Sequence, residues 1–198
     1  MRADLRSYYE RESKLGLRQV LRSRRLEFRE RYLELLSTER RTSVIDFGSG
    51  PGHDGAGFVA AGLRFVGVDL AHGNGVLAAN ENVTVVQGSI TEPPIRSRSF
   101  EAGWSMSTLM HLMEHEVSSA IAAMAEVLVP GAPMMIGMWG GPRSDDIDDQ
   151  QIDGERRLFS LRPIELNSRL LEAAGTVESA EVVPGQEGQD YQLFLLRV

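Results

Sequence analysis

Apolar residues are arranged in two ways along this chain. Before residue 40 they recur at mostly helical intervals, with Leu15, Leu17, Val20, Leu21, Leu26, Phe28, Leu33, Leu35 and Leu36 set between charged positions. That pattern predicts amphipathic helices from Ala3 to Thr38, packing one face on a core and leaving their arginines on solvated faces. From Ser43 onward the apolar residues come in short runs, such as Val44-Ile45, Phe65 to Val68 and Met134 to Ile136. Runs of this kind suit strands covered on both faces, as in a parallel sheet. The coarse order is strand, helix, strand, helix, strand, a loop from Thr91 to Arg98, strand, helix, strand, an acidic loop from Ser144 to Glu155, helix and two closing strands. This alternation belongs to the α/β class. Thr176 to Pro184 and Tyr191 to Val198 flank the turn GQEGQ and read as a hairpin. With 198 residues, 42% of them hydrophobic, the chain suffices for one sizeable core. One domain over 1–198 is expected, with a helical cap over 1–40, a ligand-binding core over 43–141 and a C-terminal helix and edge hairpin over 156–198.

The chemistry concentrates in VIDFGSGPGHDG, Val44 to Gly55. An apolar strand ends in Asp46 and opens into a turn carrying Gly48, Ser49, Gly50 and Gly52. Glycines there let the backbone take positive φ and approach a ligand, and the helix that follows presents unpaired N–H groups. A dinucleotide fingerprint would place its third glycine one residue later, where this chain has His53. A second apolar strand, LRFVGVDLA, ends in Asp69 and Leu70 about twenty residues on, where a carboxylate can accept hydrogen bonds from ribose hydroxyls. NVTVVQGSI follows with Gly88, Ser89 and Ile90, then SFEAGWSMSTLMHL with Ser105 and Met106, then AMAEVLVPGAPMMIGMWGG. In open α/β sheets the ligand lies outside the carboxyl ends of the strands, and Asp46, the glycines, Asp69, Ser89 and Ser105 all fall at such ends.

Gly-x-Gly-x-Gly after an acidic strand end resembles motif I of the class I S-adenosylmethionine-dependent methyltransferases, and the ordered series from Ser43 to Gly141 extends that resemblance to their small-molecule branch. It implies a three-layer Rossmann-like fold, mostly parallel, with the last strand antiparallel between its neighbours. It also implies that Asp46, Gly48, Ser49, Gly50, Gly52, Asp54, Asp69, Leu70, Gly88, Ser89, Ile90, Ser105 and Met106 bind S-adenosylmethionine and release S-adenosylhomocysteine. Asp54 falls at a helix start, where a carboxylate also serves as a cap. The acceptor pocket of such enzymes is built by N-terminal helices and the segments after the fourth and fifth strands, here Tyr8, Tyr9, Met110, Met113, Trp139 and Arg143.

Two departures narrow the chemistry. Relatives often end the third strand in an acid that touches the adenine amino group, whereas this chain has Gly88 and Ser89, whose hydroxyl can still accept that bond. No Asn-Pro-Pro-Tyr-like stretch follows the fourth strand, so methylation of exocyclic base amines is not expected. The chain has no cysteine, which excludes attack on a pyrimidine carbon by a thiolate and removes thiolate zinc sites. No metal is expected, since the site of the magnesium-dependent relatives' acidic ligand is Ser105.

Methyl transfer from a sulfonium needs alignment, desolvation and, for some acceptors, a base. His111 in MHLMEHE is the candidate base; His115, four residues on, would share one helix face with it. Charge is uneven: residues 1–41 carry 12 Arg or Lys against 7 Asp or Glu, and the net charge of the whole is −7. The expected activity is methyl transfer to oxygen or nitrogen of a small molecule, such as an intermediate of specialised metabolism. Two alternatives stay open: an RNA or protein methyltransferase using the basic helices, and a non-catalytic cofactor-binding partner protein. No apolar run approaches the length of a membrane span and the N-terminus is charged without an apolar core behind it, so a cytoplasmic protein without a membrane partner is expected. A monomer or homodimer acting on a small molecule, not on nucleic acid, is the expected form.

Overall fold

The computed structural model describes residues 2–17, 23–147, 152, 157–184 and 190–198. Two helices, α1 (Arg2–Leu15) and α2 (Ser23–Thr38), precede β1 (Ser43–Phe47), α3 (His53–Ala60), β2 (Arg64–Asp69), α4 (His72–Asn80), β3 (Val85–Gln87) and β4 (Gly103–Met106). A 3-10 turn (Leu109–His111) then leads into α5 (Glu114–Glu126), β5 (Pro133–Gly140), β6 (Ser144–Ile147), β7 (Leu158–Leu161), α6 (Ile164–Leu171), β8 (Thr176–Pro184) and β9 (Asp190–Arg197). Seven strands form one sheet in the order β3-β2-β1-β4-β5-β9-β8. Strands β1 to β5 pair in parallel, while β9 runs antiparallel between β5 and β8. This is the mixed sheet that the resemblance implies.

Side chains alternate across β1, so its two faces feed two cores. Ile45 and Phe47 join Val117, Ile121, Met124 and Leu171 on the face covered by α5 and α6. Val44 turns the other way, toward Phe28, Tyr32, Leu36 and Phe58 of α2 and α3. The buried stripe of α2, spaced by four residues, includes a tyrosine that the apolar pattern does not count. The Tyr32 hydroxyl lies 2.8 Å from the Gly103 carbonyl and 2.9 Å from that of Pro133, tying α2 to the starts of β4 and β5. Tyr32→Phe is expected to cost about 1–2 kcal/mol in urea unfolding, because two buried carbonyls lose their donor.

Four expectations are corrected. Leu15 and Leu17, read as core positions, are 57% and 60% exposed, because α1 ends there and the chain turns away; Val20 and Leu21 lie outside the described residues. The arginines of α2 are not all on a solvated face: Arg25 and Arg29 turn inward to Asp54, and Arg31 reaches Glu181 of β8. The acidic loop from Ser144 opens as a strand, β6, which pairs antiparallel with β7; 148–151 and 153–156 lie outside the described residues. His111 and His115 occupy separate elements, the 3-10 turn and α5, and so share no helix face. The hairpin is present, pairing from Thr176↔Arg197 to Pro184↔Asp190 with one shift of register between Val177 and Ser179, its turn, 185–189, lying outside the described residues. Among the described residues no helix is long and apolar enough to cross a membrane.

Candidate functional site

A cleft opens at the carboxyl ends of β1, β2, β3 and β4, where strand order reverses between β1 and β4. It encloses about 680 Å³ counting the solvent at its mouth, and is lined by Gly48, Gly50, Asp69, Leu70, Asn74, Gly88, Ser89, Ile90, Ser107, Thr108, His111 and Leu112. Leu5 and Tyr9 of α1 complete the lining. The turn after β1 has positive φ at all three of its glycines, Gly48, Gly50 and Gly52. At Gly48 the absence of a side chain also has a packing cause, since a Cβ there would collide with the Thr108 hydroxyl. Thr108 in turn lies 3.2 Å from the Phe47 carbonyl, so the loops after β1 and β4 touch where the cleft begins.

Asp69 organises the floor. Its Oδ2 accepts the Gly50 N–H at 2.8 Å, and its Oδ1 accepts Ala71 N–H at 2.9 Å and Asn74 Nδ2 at 3.0 Å. A carboxylate has about four acceptor sites, so roughly one remains for a donor in the cleft. Glu10 of α1 accepts the backbone N–H groups of His72 at 2.6 Å and Gly73 at 2.9 Å, which joins the first turn of α4 to the helix lying over the cleft. Ser89 Oγ lies 2.8 Å from Thr91 Oγ1. A nucleoside fits this set: a carboxylate with a free acceptor site, a hydroxyl at the third strand end, and the apolar surfaces of Leu70 and Ile90 between them. Asn74, Thr108, Ser107, Leu112 and Leu5 were not among the expected residues. A signal existed only for Asn74, an amide in the first turn after the strand-end acid.

Asp46 and Asp54 stand behind the glycine turn instead of lining the cleft. Asp54 makes no cap: the residue before α3 is Gly52, without a side-chain cap bond. Its carboxylate is fully buried, bonded to Arg25 Nε and to Trp104 Nε1 at 3.0 Å, with Arg29 Nη1 at 3.7 Å. Neither oxygen of Asp46 has a hydrogen-bond partner among the described residues. Burial pushes the Asp46 carboxyl well above the usual carboxylate range, helped by the charge of Asp54, opposed by Arg25 and helped further by Asp69. The folded chain therefore binds this proton more tightly than the unfolded chain. The resulting stability is full below the ordinary carboxylate value, about pH 4, and is lost as pH rises through the folded value. Asp46→Asn is expected to raise the melting temperature of the ligand-free protein at neutral pH and to flatten its fall from acid to neutral pH; melting curves at several pH values check both.

Other expected positions have structural places. Ser105 Oγ donates to the Phe47 carbonyl at 2.8 Å within the sheet. Met106 and Met110 are buried, Met106 packing beside the Tyr191 hydroxyl at 3.6 Å. Met113 precedes α5, its N–H bonded to Glu116 at 3.0 Å. Arg143 pairs with Glu114 at 2.7 Å on the surface. Trp139 stands edge-on to Tyr191, whose hydroxyl is 3.2 Å from Ser107 Oγ at the cleft. Tyr8 is buried beneath the Arg157 guanidinium. The wall bearing His111 is held by the buried Arg162, which donates to the carbonyls of Leu109 at 3.0 Å and Leu112 at 3.1 Å and to Asn167 Oδ1 at 2.9 Å.

Comparison with known proteins agrees with this geometry. No curated protein sequence matches the chain. Among solved structures, the Burkholderia thailandensis 1,6-didemethyltoxoflavin-N1-methyltransferase, determined with 1,6-didemethyltoxoflavin and S-adenosylhomocysteine bound, superposes with a TM-score of 0.73. It is 24% identical, over 98% of this chain and 87% of that one. A Methanosarcina mazei S-adenosylmethionine-dependent methyltransferase gives 0.71 at 14% identity, over 80% and 93%. Streptomyces venezuelae DesVI gives 0.64 at 20% identity, over 84% and 89%. The same fold serves the [4+2]-cyclase SpnF, with 0.65 at 16% identity over 85% and 80%. The family model described as a methyltransferase domain matches residues 44–131, the stretch that carries the glycine turn, Asp69 and Ser89. This chain has the fold of the class I S-adenosylmethionine-dependent methyltransferases, and its residues 44–131 match the model of a methyltransferase domain.

Proposed function

We propose that this enzyme moves a methyl group from S-adenosylmethionine to an oxygen or nitrogen of a small-molecule acceptor. The observation that carries the reading is the cleft itself: a strand-end carboxylate, a glycine turn and a third-strand hydroxyl converge beside a helix, α1, that contributes Leu5 and Tyr9 to the lining. In this reading the remaining acceptor site of Asp69 takes a ribose hydroxyl, Leu70 and Ile90 flank the adenine, and Ser89 faces its amino group. When bound, the cofactor supplies an electrophilic methyl on a good leaving group. The protein's part is to align the acceptor in line with that methyl and limit the water beside it, a task for the lining side chains of Leu5, Tyr9, Thr108 and Leu112. The small molecule bound in the Burkholderia enzyme supports an acceptor of that kind.

The charge pattern favours this over a nucleic-acid substrate. Arg25 and Arg29 turn inward to Asp54, Arg31 pairs with Glu181 on the surface and Arg41 with Glu39, so part of the N-terminal positive charge is already engaged by acids of this chain. The test supplies tritiated S-adenosylmethionine with a mixture of phenols and N-heterocycles in one tube and total RNA in another. Label in the small-molecule fraction is expected; label in RNA alone would overturn the reading.

A further inference from the structure

Tyr9 and His111 both line the cleft and are joined by a hydrogen bond whose direction is set by what lies behind it. His111 Nδ1 is 2.7 Å from the Leu158 carbonyl oxygen. A carbonyl only accepts, so Nδ1 carries a proton. In the neutral ring Nε2 then holds the lone pair, and the Tyr9 hydroxyl, 2.7 Å away, donates to it. From another side Arg157 directs Nη1 toward the same hydroxyl oxygen at 3.4 Å, its guanidinium lying 4.9 Å from the rings of both Tyr8 and Phe159. The phenol thus stands between a lone pair that can take its proton and a cation that favours the oxyanion left behind. His111 is 8% exposed and its Nε2 is covered by Tyr9, which is half-buried on α1.

We propose that Tyr9 is the group that takes the proton from the methyl acceptor, handing its own to His111. The proposal rests on the methyltransferase reading above. The acceptor's O–H or N–H bond breaks and its proton passes to Tyr9 Oη as the Tyr9 proton moves to His111 Nε2. The electron pair left on the acceptor atom forms the bond to the methyl carbon. The carbon–sulfur bond breaks with its pair going to sulfur, which neutralises the sulfonium. The imidazolium keeps its Nδ1–H on the Leu158 carbonyl and returns the extra proton to water after product leaves. His111, the base expected from the sequence, acts here from behind Tyr9.

Two readouts test this. In protein labelled with ¹⁵N-histidine and saturated with S-adenosylhomocysteine, long-range ¹H–¹⁵N spectra at neutral pH are expected to give His111 as the Nδ1–H tautomer. Tyr9→Phe should then shift the Nε2 resonance while leaving Nδ1 in place. An Nε2–H tautomer, or an Nε2 signal indifferent to Tyr9→Phe, would overturn the relay. Failure of S-adenosylhomocysteine to bind the parent protein would overturn the methyltransferase reading instead, with the His111 tautomer still legible in the same tube. With the acceptor that takes label in the methyl-transfer assay, Tyr9→Phe should lower kcat about a hundredfold and leave KM for S-adenosylmethionine within about twofold. A change confined to KM would make Tyr9 a lid contact only.

Discussion

Asp54→Ala is expected to destabilise the fold by about 3 kcal/mol, because breaking a buried ion pair from one side leaves charge without compensation. The Asp54 side chain is fully buried, while those of Arg25 and Arg29 retain 22% and 16% exposure, so the arginines can recover part of their hydration. Arg25 also lies close enough to Asp46 to influence its titration, and it can turn toward that carboxylate once Asp54 is gone. Both effects hold the cost toward the lower end for a buried pair. The Trp104 indole N–H, buried in the core, loses its Asp54 acceptor as well. For a chain of this size the loss corresponds to roughly 6–12 °C in melting temperature. A shift below about 2 °C would show that the pair contributes little and that α2 is held by Phe28, Tyr32 and Leu36 alone.

Asp69→Ala is expected to weaken S-adenosylhomocysteine binding by about 1–3 kcal/mol, roughly five- to 150-fold, since a buried hydroxyl would lose a charged acceptor. The same substitution removes the acceptor for Gly50 N–H, Ala71 N–H and Asn74 Nδ2, so the turn itself should loosen. Calorimetry and melting must therefore be read together. Asn74→Ala separates the two effects: it removes one of the three donors that hold Asp69 but leaves the carboxylate, so its cost in affinity should be several-fold smaller. Binding by Asp69→Ala equal to that of the parent protein, in a folded sample, would remove Asp69 from the site.

Much of the cleft was legible because its determinants are local. A backbone that takes positive φ at Gly48 and Gly50 favours glycine there, and an acid at the end of a strand falls at the sheet's carboxyl edge wherever the strand is placed. The antiparallel β9 followed from the hairpin spacing together with the resemblance. What escaped depends on pairs distant in sequence. The inward turn of Arg25 and Arg29 requires Asp54 in α3, and a helical pattern scores an arginine as solvated whatever lies opposite. Tyr32 counts as polar until the two carbonyls that accept its hydroxyl are known. The β6–β7 pair is four residues to a strand, and β6 places two aspartates, residues depleted in strands, beside its single β-branched residue, Ile147. His111 was singled out for its chemistry, yet its orientation comes from Leu158 and its covering residue from α1, neither of which its sequence neighbourhood announces.

Parallel calorimetric titration of the purified protein with S-adenosylmethionine, S-adenosylhomocysteine and NAD tests the central claim most directly. The glycine spacing and the Asp69 cleft predict heat from both sulfur compounds, at one site per chain, and none from NAD. Binding of NAD with silence toward both sulfur compounds would contradict the account.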